Sequence, residues 1–88
     1  MKILYLRQAL KDVNKIKNDK LKSKLLDVVN DLKLAESLSE IKNVKSMSGH
    51  SDAYRIRIGD YRLGIYYYED RVTIARFVKR KDIYKLFA

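Results

Sequence analysis

Residues 54–65 read YRIRIGDYRLGI. Apolar and polar residues alternate on both sides of Gly59-Asp60, the pattern of two strands joined by a two-residue turn. If Ile58 pairs with Tyr61, then Arg57 stands opposite Arg62, Ile56 opposite Leu63 and Arg55 opposite Gly64. Side chains alternate faces along a strand. Ile56, Ile58, Tyr61, Leu63 and Ile65 therefore share one face, and Arg55, Arg57 and Arg62 share the other. Gly64 leaves open space beside Arg55. Directly opposed like charges destabilise a sheet, so the fold alone does not ask for this arrangement. An arginine-bearing strand can be simply a solvated face that resists edge-to-edge aggregation. Three arginines on one face, with Arg80 and Tyr84 following in a basic tail, favour a receptor for an anion, and arginine forks suit phosphate.

Working outward, the alternation runs on to Tyr68, and Glu69-Asp70 makes a second turn. Tyr66 and Tyr68 fall on the arginine face, where sheet packing competes with base stacking as their role. Residues 72–78, VTIARFV, form a third strand in which Val72, Ile74 and Val78 alternate with Thr73, Ala75 and Phe77. Arg76 falls in the apolar register, which calls for a bulge or for a rim position with a buried stem. Upstream, SGHSD (48–52) is a loop by composition, and LSEIKNVKSM (38–47) reads as an irregular strand. Leu6, Ala9, Leu10, Val13 and Ile16 have helical spacing, as do Leu21, Leu25, Val28, Val29 and Leu32. Asp19 is the expected N-cap of the second helix. Residues 2–6, KILYL, suit either a short strand or the start of a helix. The fold class implied is α+β: an N-terminal helical hairpin packed on one face of a small antiparallel sheet, with residues 1–88 as one domain.

The composition narrows the partners. The 88 residues hold 20 Lys plus Arg and 11 Asp plus Glu, a formal net charge of +9. Such a charge favours polyanionic partners. There is no cysteine, hence no disulfide framework or thiolate site. No apolar run is long enough for a membrane span, and the first residues do not read as a signal peptide, so a cytoplasmic protein is the default. No metal-ligand set is visible, no glycine-rich phosphate loop is present, and no cofactor is expected. His50, the only histidine, lies in the SGHSD loop and reads as incidental.

YRIRIGDYRLGIYY, followed by VTIARFV and KRKDIY, resembles the RelE/ParE superfamily of bacterial and archaeal toxins. The helical hairpin sits where that superfamily has one, and the resemblance covers nearly the whole chain. It implies a toxin of a type II toxin–antitoxin system. RelE-type members cut mRNA, typically in the ribosomal A site, whereas ParE-type members inhibit DNA gyrase and lack the nuclease residues. Carried over, Arg55, Arg57 and Arg62 match the basic strand positions, Arg80 the arginine after the last strand, and Tyr84 the tyrosine near the C-terminus. Many relatives have histidine before that arginine; here it is Lys79. Lys79, Lys81 and Tyr66 are the further candidates for RNA contact.

RNA cleavage by its own 2′-hydroxyl needs a base, charge stabilisation on the phosphorane and an acid for the leaving oxygen. Arginine stays protonated, so Arg55, Arg57, Arg62 and Arg80 are expected to stabilise charge and position the phosphate. Tyr84 and Lys79 are left for proton transfer, and the family position favours Tyr84. The readings that compete are a ribosome-dependent endoribonuclease, a non-catalytic gyrase inhibitor, an inactive toxin fold that only binds its antitoxin, and a general nucleic-acid binder favoured by charge alone. Every toxin reading implies a cognate antitoxin, RelB-like and acidic, that folds on binding.

Overall fold

The computed structural model describes residues 1–87. In chain order the elements are strand β1 (Lys2–Tyr5), helices α1 (Arg7–Asn14) and α2 (Asp19–Leu34), strands β2 (Val44–Ser46), β3 (Ala53–Ile58), β4 (Tyr61–Tyr68) and β5 (Arg71–Lys79), and a short helix α3 (Ile83–Leu86). Single 3-10 turns at Leu38–Glu40 and Arg80–Asp82 precede β2 and α3. The strands form one sheet in the order β1-β5-β4-β3-β2. KILY is a strand, and it pairs with β5 in parallel, Ile3 beside Val72 and Tyr5 beside Ile74. The sheet is therefore mixed, not wholly antiparallel. A parallel neighbour needs a long crossover, and the helical hairpin together with β2, β3 and β4 supplies one.

The β3–β4 hairpin has the register that the alternation dictates, with Ile58 opposite Tyr61 and Arg57 opposite Arg62. Gly59 takes φ +59° at the first turn position, a conformation glycine adopts without a Cβ clash. Ile56, Ile58, Leu63 and Ile65 are buried beneath the helices, together with Val72, Ile74 and Phe77. From α2, Leu25, Val29 and Leu32 face them, as the helical spacing predicts. The cap of α2 is Asn18, one residue before the expected Asp19; its side chain accepts from the Leu21 amide at 3.1 Å. In α1 the stripe departs from expectation. Ala9 is buried, Leu10 is 49% exposed, and Asp12 is turned inward at 5% exposure.

Strand β5 explains why a carboxylate belongs inside. Gly64 pairs with Arg76 and Ile65 with Ile74, so Ala75 is an extra, bulged residue. A bulge reverses the phase of a strand. Before it, Val72 and Ile74 face the helices; after it, Phe77 does so, while Val78 joins the opposite face. The expected grouping of Val78 with Val72 and Ile74 fails for this reason. Along the other edge of β5, β1 ends at Tyr5, and the Leu6 amide makes a last bond to the Ile74 carbonyl at 2.9 Å. Beyond that point no strand lies beside β5. Asp12, reaching over from α1, fills the gap. Its Oδ2 accepts from the Phe77 amide at 2.9 Å, and its two oxygens accept from Arg76 Nε and Nη2 at 2.8 and 3.2 Å.

Removing one partner of a buried ion pair leaves the other without compensation, at a cost of about 3 kcal/mol or more. Asp12→Ala should therefore lower the unfolding midpoint by more than about 10 °C in a domain of this size. Asp12→Asn, which keeps an acceptor for the Phe77 amide but loses the charge, should fall between that variant and the wild type. Thermal unfolding followed by circular dichroism measures both.

Candidate functional site

On the face away from α1 and α2, the hairpin arginines line a cleft of about 390 Å³. Each guanidinium is aimed by neutral partners. Arg55 Nη1 donates to the Ser46 carbonyl at 2.7 Å, and Arg57 Nη2 to Asn43 Oδ1 at 3.0 Å. Arg62 Nη1 donates to the carbonyls of Gly59 and Tyr61 at 3.0 and 2.9 Å. Arg80 reaches the cleft because its amide donates to the Asp60 carbonyl at 2.8 Å, which pins the 3-10 turn to the hairpin loop. Tyr84 closes one side, with the Arg55 guanidinium carbon 5.3 Å from its ring centroid. That separation is within cation–π range.

Among the described residues, none of these four arginines forms a salt bridge; the ion pairs are Asp12–Arg76 and Asp82–Lys85. The Arg62 guanidinium is held below the usual arginine value, first by burial, then by the positive charges of Arg80, Arg57 and Arg55, with Tyr84 acting in the opposite sense. Arginine remains charged at neutral pH even so. Arg62 thus sits in the middle of an uncompensated positive field. The cleft can hold a phosphate with several forks and stabilise negative charge that develops on it.

The structure brings Arg55, Arg57, Arg62, Arg80 and Tyr84 together around this cleft. It places the other sequence candidates elsewhere. Lys79 lies opposite Tyr61, and it lines, with Lys81, Asp12 and Lys15, a separate depression on the helix side. The phase reversal at Ala75 is what sends Lys79 there. The Tyr66 ring packs on Phe87 with centroids 5.1 Å apart, outside the cleft. His50 is exposed in its loop and does not line the cleft. Among the described residues no group of three or more His, Cys, Asp or Glu side chains is placed to hold a metal. No helix among them is long and apolar enough to cross a membrane.

Three contributors escaped the sequence reading. Lys45 pairs opposite Arg55, which adds a further cation to the cleft. Asn43, at φ +65°, orients Arg57. Ile83, fully buried, forms part of the cleft floor. Only the register of β2 against β3 assigns Lys45 to this face, and an irregular stretch carries no register signal. The space beside Arg55 expected at Gly64 is occupied: a Cβ built there would lie 2.7 Å from the Phe87 ring.

The mixed five-stranded sheet, the helical hairpin on one face and the basic cleft on the other define the scaffold of a type II toxin. The model of the family described as "ParE toxin of type II toxin-antitoxin system, parDE" matches residues 3–84. Toxin RelE3 of Methanocaldococcus jannaschii is 30% identical over 88 residues, which is 99% of each chain. The toxin fold in the RelB-RelE antitoxin-toxin complex from Methanococcus jannaschii superimposes with a TM-score of 0.80 at 27% identity, covering 97% of this chain and 99% of that one. The archaeal RelE-RelB complex from Pyrococcus horikoshii OT3 shares the fold, with a TM-score of 0.71 at 20% identity over 90% and 93% of the two chains. The chain belongs to the ParE toxin family, within the RelE/ParE superfamily of type II toxin–antitoxin toxins.

An anion should relieve the repulsion in the cleft. Millimolar sulfate is expected to raise the unfolding temperature of the wild type more than an equal ionic strength of sodium chloride does. Arg62→Gln removes one of the opposed charges and should itself stabilise the fold, by about 0.5 kcal/mol, while abolishing the specific response to sulfate. Differential scanning fluorimetry across the two salts measures both effects.

Proposed function

We propose that this toxin is a metal-independent endoribonuclease that cuts mRNA on the translating ribosome in the cytoplasm, the whole chain acting as one toxin domain. The observation that carries the reading is the set of four arginines without acidic partners, converging on one cleft with Tyr84 stacked over Arg55. In this reading the scissile phosphate sits among the guanidiniums. The adjacent 2′-oxygen attacks phosphorus as its proton leaves, and the 5′-oxygen departs with a proton gained. The products are a 2′,3′-cyclic phosphate and a 5′-hydroxyl. Arg55, Arg57, Arg62 and Arg80 bind the phosphate and stabilise the extra charge of the phosphorane, where preorganised donors act most strongly. Tyr84 is the proton-transfer group, since the arginines cannot release a proton at neutral pH. Lys79, turned to the helix side, takes no part in this chemistry.

Regulation by a cognate antitoxin is part of the same proposal. The complexes named RelB-RelE among the structural relatives support it, and the net charge of +9 suits an acidic segment that folds on binding. The carboxylates of such a segment would occupy the guanidiniums when the toxin is at rest.

A second reading, a non-catalytic inhibitor of DNA gyrase, is favoured by the family model, whose description is that of the ParE toxin. Translation in a cell-free extract, with mRNA 5′ ends mapped by primer extension, separates the two. The nuclease reading expects new ends within translated message. Arg80→Ala should lower their yield by about a hundredfold or more, and Tyr84→Phe by about the same factor. Intact mRNA with undisturbed translation, together with loss of supercoiling in a gyrase assay, would establish the second reading instead.

A further inference from the structure

Tyr84 is 62% exposed and stands on a helix of only four residues, Ile83–Leu86. A helix this short has almost no stability of its own, so something outside it must hold the tyrosine over Arg55. The structure shows what does. Ala53 on β3, Gly64 on β4 and Ala75 on β5 put three small residues on adjacent strands of the open sheet face. The Phe87 ring lies in the hollow they leave, 4% exposed, with Met47 and Ile83 beside it. Its atoms come within 2.7, 2.8 and 3.0 Å of where a Cβ on Gly64 would be, so no larger residue fits at that position without displacing the ring. Ile83 and Phe87 are one helical turn apart, joined by a 3.0 Å bond from the Phe87 amide to the Ile83 carbonyl. Both side chains point down onto the sheet, which leaves Tyr84 facing Arg55. Arg76 Nη1 also donates to the Leu86 carbonyl at 3.3 Å.

We propose that Phe87, seated in the Ala53–Gly64–Ala75 hollow, is a positioning residue for Tyr84. The glycine at position 64 is required because its missing side chain is the seat of the Phe87 ring. The bulge takes part as well: it inserts Ala75 on the open face at the hollow and places Arg76 where it can hold the end of the same segment. Arg55, Arg57 and Arg62 are held by carbonyl and amide oxygens of the sheet and its loops, and the Arg80 backbone by its bond to the Asp60 carbonyl, so the hollow governs where the phenol lies and not whether phosphate binds. The catalytic consequence rests on the nuclease reading above; the positional claim does not.

The test uses the full chain. A tyrosine ring stacked on Arg55 shifts the Arg55 side-chain proton signals upfield, and Tyr84→Leu provides the unstacked reference. Phe87→Ala opens the seat, and Gly64→Ala fills it from below. Each variant should lose the upfield shift and cut ribosome-bound mRNA about a hundredfold more slowly in single turnover, as expected for a misplaced catalytic group. Affinity for a short RNA should stay at the wild-type value in both. The double variant Gly64→Ala/Phe87→Leu, with a smaller side chain over the new methyl, should regain the shift and most of the rate. Retention of the upfield shift in both single variants overturns the proposal, as does failure of the double variant to regain it. If the wild type itself cuts no mRNA on translating ribosomes, the nuclease reading falls, and the Arg55 shifts still decide whether Phe87 positions Tyr84. Should Phe87→Ala fail to fold, the Gly64→Ala variant and its rescue decide the same question.

Discussion

The Asp12 carboxylate on the uncovered edge of β5 is the contact on which the rest of the architecture depends. β1 must stop at Tyr5 because the chain turns into α1, which leaves the amide of Phe77 facing no strand. A buried amide without a partner costs about as much as a lost hydrogen bond. The carboxylate supplies the acceptor, and Arg76 neutralises the charge that the carboxylate brings. Three separated parts of the chain are thereby joined: the first helix, the last strand and, through the Arg76 bond to Leu86, the C-terminal segment. The bulge at Ala75 makes this possible, because it turns Phe77 into the core and leaves Arg76 at the edge.

The cleft is built on the opposite principle. Its guanidiniums face one another without acidic partners, and those of Arg55, Arg57 and Arg62 are held by carbonyl oxygens and one amide oxygen in place of counter-charges. Neutral acceptors orient a guanidinium without consuming its charge, so the field stays available to a ligand. The repulsion this leaves is tolerable because hydrophobic burial on the other face is large by comparison, at roughly 2 kcal/mol for each fully buried aliphatic or aromatic side chain. Phe77, Leu32, Ile56, Leu63, Ile65, Ile74 and Val72 are all nearly inaccessible between the sheet and the helices. The candidate cleft lies on one face of the sheet and the main hydrophobic core on the other, and the period-two alternation of β3 and β4 keeps them apart.

The hairpin shows how far local pattern carries. Its turn, its pairing and the assignment of Arg55, Arg57 and Arg62 to one face all follow from residues 54–65, since two strands and a two-residue turn have one register that buries the apolar set. The basic tail pointed to Arg80 and Tyr84, but their roles in the site were legible only through family resemblance. Nothing local says that a tail residue will stand over a strand several residues away in space. Lys79 and Lys81 show the limit from the other side: they are basic and adjacent to Arg80 in sequence, yet they line the helix side, Lys79 because one extra residue in β5 reverses the phase and Lys81 from its place in the 3-10 turn beyond the strand. Asn43 and Lys45 were missed because β2 is three residues long and its place in the sheet is set by β3.

The sequence by itself determined the α+β class, the helical hairpin, the charge of the molecule and the arginine face, because each rests on periodicity or composition within one or two neighbouring elements. Only the tertiary structure decided that β1 runs parallel to β5, that Asp12 is buried, that Ala75 is bulged and that Gly64 is a seat and not a gap. Each of these depends on what a distant segment brings to the same point in space. An aspartate in a helix and a glycine in a strand have no preferred partner until packing brings Phe77 to the one and Phe87 to the other.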